Sequence, residues 1–277
     1  MTVRRATGYT SVKFMATPNN SRLLAEGRRR KIMDLIEQSG QITINDLVER
    51  FSISAVTARS DLDALSANGS ILRSHGGAVR RYEANQDYPL QLKATLHMAE
   101  KGRIGQAAAR LVQANETIIL DSGTTTAEIA KYLKKIKLQS LTVITSALNI
   151  ANELADAAGM SLIMIGGLLR PVSSSCVGPQ AEAMLRELHA DRLFLAVDGL
   201  DVENGPFTPD VLEAQLNGVM MQVSKEVIVV ADSTKLGRRS LFRIGPLEKV
   251  HRLITDTRAP AELTEALRKK GVGVTVV

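Results

Sequence analysis

Asp121-Ser122-Gly123-Thr124-Thr125-Thr126 directly follows the apolar run Thr117–Leu120. A strand that turns into a helix there presents backbone N–H groups beside several hydroxyls. That is the chemistry of an anion cradle, in which free N–H donors and the helix N-terminus hold negative charge. An ordinary capped helix would explain Ser122 or Thr124 alone, but not the whole cluster. Other apolar runs are also followed by polar residues: Thr145-Ser146 with Asn149, Gly166-Gly167 with Arg170, Asp198-Gly199 with Asp201, and Asp232-Ser233-Thr234-Lys235. Carboxylates such as Asp121 and Asp198 suit sugar hydroxyls, whereas Arg170 and Lys235 suit phosphate. Several of these could serve only as caps, yet their recurrence at strand ends predicts one converging pocket.

A second set of residues lies nearer the N-terminus, in Ser54-Ala55-Val56-Thr57-Ala58-Arg59-Ser60-Asp61-Leu62. On a helix capped by Ser54, Ala58, Leu62 and Leu65 share one face, and Thr57 and Arg59 point away from it. Arg59 can make a bidentate contact to guanine, and Thr57 can bond a base edge or a phosphate. Arg28, Arg29, Arg30 and Lys31 before it, and Arg73, Arg80 and Arg81 after it, are placed to clamp phosphates. Asp61 is expected to form an ion pair inside the domain rather than touch a base. His75, beside Gly76-Gly77, either shapes a turn or touches DNA.

Charge supports this division of labour. Residues 1–82 hold 13 Lys/Arg against 7 Asp/Glu, while residues 83–277 hold 22 of each, so the first segment carries the whole excess of +6. A basic module joined to a neutral one points to a polyanionic partner, double-stranded DNA, for the first only.

The elements that must position these residues follow from periodicity. Residues 1–25 are polar and aperiodic and read as a flexible basic arm, within which Met15 is an alternative start. Ile32, Leu35 and Ile36 define a helix over 26–38, and Thr43 with Asp46 caps a second carrying Leu47, Val48 and Phe51. The third helix ends at Asn68-Gly69, and residues 71–81 form a hairpin around Gly76-Gly77. Residues 26–82 thus make a winged helix-turn-helix, and 83–100 read as a linker. Over 101–277, apolar runs at 117–120, 141–145, 162–165, 193–197, 227–231, 253–255 and 272–277 alternate with helical stretches. The first five or so are Val/Ile/Leu-rich without polar alternation, which predicts a largely parallel sheet, an α/β domain with strands buried on both faces.

Some functions are excluded on composition. No uninterrupted apolar run approaches the roughly 18–20 residues of a membrane span, and the first residues lack the apolar core of a secretory signal. One cysteine, Cys176, permits no internal disulfide and fits a reducing cytoplasm. Four scattered histidines give no metal-binding pair, so neither metal nor cofactor is expected.

Arg28-x3-Ile32-x3-Ile36, the stretch Ser54–Leu62 and the wing Arg73-Ser74-His75-Gly76-Gly77-Ala78 together resemble the helix-turn-helix signature of the DeoR family of transcription regulators. Ser60 stands where that family usually has Asn, Lys, Arg or Ala. Residues 90–277 resemble the family's sensor domain, which in turn looks like ribose-5-phosphate isomerase. Asp198-Gly199-Leu200-Asp201 is similar to part of that enzyme's catalytic stretch, but Asn204-Gly205-Pro206-Phe207-Thr208 does not match its Lys-Gly-Gly-Gly segment. The resemblance therefore implies a sensor without catalytic residues: a repressor released from its operator by a phosphorylated sugar and working as a dimer or tetramer. The alternative is a sugar-phosphate isomerase with an accessory basic domain. Within the family, the run from Leu120-Asp121-Ser122 through Asp232-Ser233-Thr234-Lys235 looks closest to regulators of amino-sugar use.

Overall fold

Helically spaced apolar residues in one stretch and continuous apolar runs in the other pack as two separate units, dividing between Arg81 and Tyr82. The structure is a computed structural model that describes residues 25–74, 76–80, 87–136, 138 and 140–277. Within the expected arm only Ala25 is described, and His75 and Arg81 lie outside the described residues.

The first unit contains α1 (Ala25–Ser39), β1 (Gln41–Thr43), α2 (Ile44–Phe51), α3 (Ala55–Ala67), β2 (Ile71–Ser74) and β3 (Gly77–Arg80). Ile32, Ile36, Leu47 and Leu62 are fully buried and form its core with Phe51, Ala58 and Leu65. Thr43 accepts from the Asp46 N–H while the Asp46 carboxylate accepts from the Thr43 N–H, a capping box that fixes the start of α2. Strands β2 and β3 form the expected hairpin, to which β1 adds an unforeseen third strand in the order β1-β3-β2. Gly77 permits that addition, because a Cβ there would lie 2.1 Å from the Ile42 carbonyl oxygen.

The second unit begins earlier than the sequence suggests. The described part of the stretch read as a linker holds α4 (Leu90–Thr95), and α5 (Met98–Ala109) starts before residue 101. Six-residue α4 buries only Leu90, so periodicity does not reveal it, whereas α5 is the helix expected from about residue 101, begun three residues earlier. Next come β4 (Thr117–Leu120), α6 (Thr124–Ile136), β5 (Leu141–Thr145), α7 (Leu148–Leu154) and β6 (Met160–Met164). A small hairpin of β7 (Leu168–Arg170) and β8 (Ser175–Val177) leads to α8 (Pro179–Arg186) and β9 (Ala190–Leu195). The chain continues through β10 (Gly199–Asp201), β11 (Gly205–Thr208), α9 (Val211–Val223), β12 (Ser224–Val230), β13 (Phe242–Arg243), β14 (Arg252–Thr255), α10 (Ala261–Lys269) and β15 (Gly273–Val276).

Seven strands form a wholly parallel sheet, ordered β15-β14-β12-β9-β4-β5-β6, with an apolar cluster on each face. The antiparallel pairings of β7 with β8, and of β11 with β10 and β13, were not foreseen. From β4 the chain builds outward to β6, then returns to place β9 on the other side of β4. That reversal is a topological switch point, the place where open α/β sheets bind ligands.

Candidate functional site

In the first unit the outward face of α3 is the candidate nucleic-acid interface. Ser54 Oγ accepts the Thr57 N–H at 3.1 Å and lies 2.9 Å from the Thr57 hydroxyl, so both residues shape the start of the helix. Arg59 is exposed and makes no hydrogen bond or ion pair among the described residues. Arg30 is likewise exposed on α1. The expected internal role of Asp61 holds: its buried carboxylate pairs with Arg28 at 2.5 Å and Arg29 at 2.9 Å. Those two arginines therefore tie α1 to α3. Arg73 bonds the Gly77 carbonyl at 2.8 Å and Asp63 at 3.0 Å. Arg80 ends β3, with its side chain outside the described residues. Composition does not single out Val56, which is 73% exposed on the same face as Arg59.

In the second unit the predicted cradle sits at the switch point, between the ends of β4 and β9. Gly123 is there for close approach, since a Cβ would stand 2.8 Å from that of Ala196. Thr126 is buried and returns its hydroxyl to the Gly123 carbonyl at 3.1 Å. Ser122 and Thr124 are half-buried, and Thr125 makes no side-chain hydrogen bond among the described residues. Protein donors surround the Asp121 carboxylate. It is buried and accepts from Ser122 N–H at 2.6 Å, Ala196 N–H at 3.2 Å and the Asn217 amide at 3.3 Å. Burial first, and the charge of Glu213 second, push its carboxyl well above the usual range. Thr145 is also structural, donating to the Leu120 carbonyl at 2.8 Å and accepting from Ala147 N–H at 3.1 Å. Asn149 differs, because its buried Oδ1 has no partner among the described residues.

Asp210 at 3.2 Å, Glu213 at 3.3 Å and Asp87 all engage the Arg170 guanidinium. Gly166 and Gly167 lie exposed before β7, and Gly167 is accounted for by packing, because a Cβ would stand 2.7 Å from the Val177 carbonyl.

Three lysines also gather in this unit. Asp198 follows β9 and lies 3.1 Å from Lys93 and 3.3 Å from Lys235. Burial pushes its carboxyl up, but the two ammonium groups outweigh this and hold it at about 2. Lys101, on α5, is buried and donates to the Lys93 carbonyl at 2.5 Å. Burial lowers its ammonium to about 8; Asp232 opposes this, and Lys235 and Lys93 add to it. Sequence reasoning named Lys235 but neither Lys93 nor Lys101. The clue to Lys101 was its place on the apolar stripe with Ile104, Gly105 and Ala108. Asp201 bonds Asn204 at 2.7 Å and Arg239 at 2.8 Å, which outweigh burial and hold it at about 2. Neither Asp198 nor Asp201 is poised as a general base near neutral pH.

Two family models match: "DeoR-like helix-turn-helix domain" over residues 28–83 and "DeoR C terminal sensor domain" over residues 96–257. The chain belongs to the DeoR family. Its relatives include a protein named as an aga operon transcriptional repressor in Escherichia coli O157:H7, 39% identical over 90% of this chain and 93% of that one. Another is the transcriptional repressor AccR of Agrobacterium fabrum, 37% identical over 89% of this chain and 96% of that one. Among solved structures, a ribose 5-phosphate isomerase from Plasmodium falciparum is 17% identical, with a TM-score of 0.37, covering 49% of this chain and 52% of its own. That likeness is too slight to transfer chemistry. This DeoR-family chain is a DNA-binding transcriptional regulator with a sensor domain, not an enzyme. No described helix is long and apolar enough to cross a membrane.

Proposed function

We propose that this DeoR-family regulator represses a carbohydrate operon in the cytoplasm and leaves its operator when a phosphorylated sugar binds the strand-end pocket. The observation that carries this reading is the convergence of Lys93 and Lys235 on Asp198, with the buried Lys101 bonded to the Lys93 carbonyl. Such a cluster, beside a helix N-terminus with free N–H groups and the Thr125 hydroxyl, suits a dianion. The unpartnered Asn149 Oδ1 offers an acceptor for a sugar hydroxyl. On this reading residues 26–82 are the DNA-binding unit, and a homo-oligomer presents two such units to a symmetric operator. The resemblance to amino-sugar regulators favours a hexosamine phosphate.

Release would be linkage: the effector favours a state that binds operator less well, and operator weakens effector binding by the same factor. The test is an operator-release titration with sugar phosphates and their parent sugars, beside calorimetry of effector binding. Only the phosphorylated forms should release the wild-type protein. Lys235→Ala and Thr125→Ala should both stay on the operator and resist release. The lysine change should cost about 1.5–3 kcal/mol of effector affinity and the threonine change about 0.5–1.5. Equal release by free sugars, or normal release of Lys235→Ala, would place the sensing chemistry elsewhere.

A further inference from the structure

We infer that Val56 reads the methyl group of a thymine in the operator, next to the base read by Arg59. The inference rests on the DNA-binding reading and adds to it the identity of one recognised group. Val56 is 73% exposed, more than any other large apolar side chain among the described residues. It sits in the first turn of α3, whose opposite face buries Ala58, Leu62 and Leu65. Val56, Arg59, Ser60 and Asp63 follow one another at the spacing of a single helix face, and all four are exposed. Asp63 is occupied by Arg73 at 3.0 Å, so Val56, Arg59 and Ser60 remain as the exposed set at the helix start.

A β-branched residue loses side-chain freedom in a helix, and at this position no protein neighbour repays that loss. Valine neither donates nor accepts a hydrogen bond, so it cannot read the polar edge of a base. In the major groove only thymine presents an apolar group, its C5 methyl, among the four bases. Val56 and Arg59 are three residues apart, a rise of about 4.5 Å along the helix. One base pair occupies about 3.4 Å. The thymine and the guanine should therefore lie within two base pairs of each other in each half-site.

The experiment selects binding sites from random duplex DNA with the full chain and with Val56→Ala. The wild-type consensus should contain a thymine in each half-site that Val56→Ala no longer prefers, while the guanine persists. Replacing that thymine by uracil removes only the methyl. It should weaken wild-type binding about three- to tenfold, the scale of one or two apolar carbon contacts, and leave Val56→Ala unchanged. Arg59→Ala should show the reverse pattern, losing the guanine and keeping sensitivity to uracil. An unchanged consensus with Val56→Ala, or insensitivity of the wild type to uracil at every selected thymine, would overturn the inference. Failure of the wild type to enrich any sequence would overturn the DNA-binding reading itself, and with it the role of Val56.

Discussion

Lys101 shows how one buried charge bears on stability. Its ammonium has one hydrogen bond, to the Lys93 carbonyl, and a folded-state pKa of about 8. An unfolded lysine titrates near 10.4. Between these values the unfolded chain binds more protons than the folded one, so stability rises with pH across the window. Below pH 8 both states are protonated and the full cost of burying the charge, about 3 kcal/mol, applies. Lys101→Met should therefore be more stable than wild type at pH 7 by roughly 1–3 kcal/mol, with the gap closing toward pH 10. Paired denaturant unfolding curves at the two pH values measure this, and a gap that ignores pH would show that the charge is well solvated. Residue roles were the least legible part of the sequence. Asp61, Arg28, Arg29 and Arg170 are all visibly charged, but what each charge meets is decided by partners 32 to 83 residues away.

At the scale of elements, α5 and α6 meet at a glycine, and the site depends on that meeting. A Cβ on Gly105 would stand 2.6 Å from the Glu128 Cβ and 2.9 Å from its carbonyl carbon, so the helices cannot keep their approach with alanine there. Gly102, one turn earlier in the same helix, has nothing within 4 Å of its notional Cβ. Gly105→Ala should destabilise the fold by about 1–3 kcal/mol, whereas Gly102→Ala should stabilise it by up to about 1 kcal/mol. Thermal melts of the two variants would separate them, and a neutral Gly105→Ala would mean the helices can slide apart freely. Because α5 carries Lys101 and α6 begins at the cradle, Gly105→Ala should also weaken effector binding. Long elements were the legible ones. The buried parallel strands announce themselves as continuous apolar runs, and α3 by its cap and apolar face. Strand β1 is three residues whose pairing with β3 is not local, and α4 is held by Leu90 and by Lys93, whose partner is Asp198. Neither carries a period of its own.

The whole molecule divides its labour between a basic unit and a neutral one, each with its own core. A fragment of residues 1–82 should fold and bind DNA weakly and without the effector's influence, with affinity falling steeply as salt rises. Binding isotherms over a salt series would test it, and a folded fragment with no affinity at low salt would show that charge excess is not the source of binding. The order in which the sheet is assembled has a further consequence, felt during synthesis. In the first unit every strand pairs within residues 41–80, so its contacts can close soon after the chain emerges. In the sheet, Ile118 of β4 must wait for Arg192 of β9. At about 5–20 residues per second the ribosome takes roughly 4–15 s to cover that distance. For that time the strand at the heart of the sensor is an open edge on the growing chain, while the DNA-reading end is already complete.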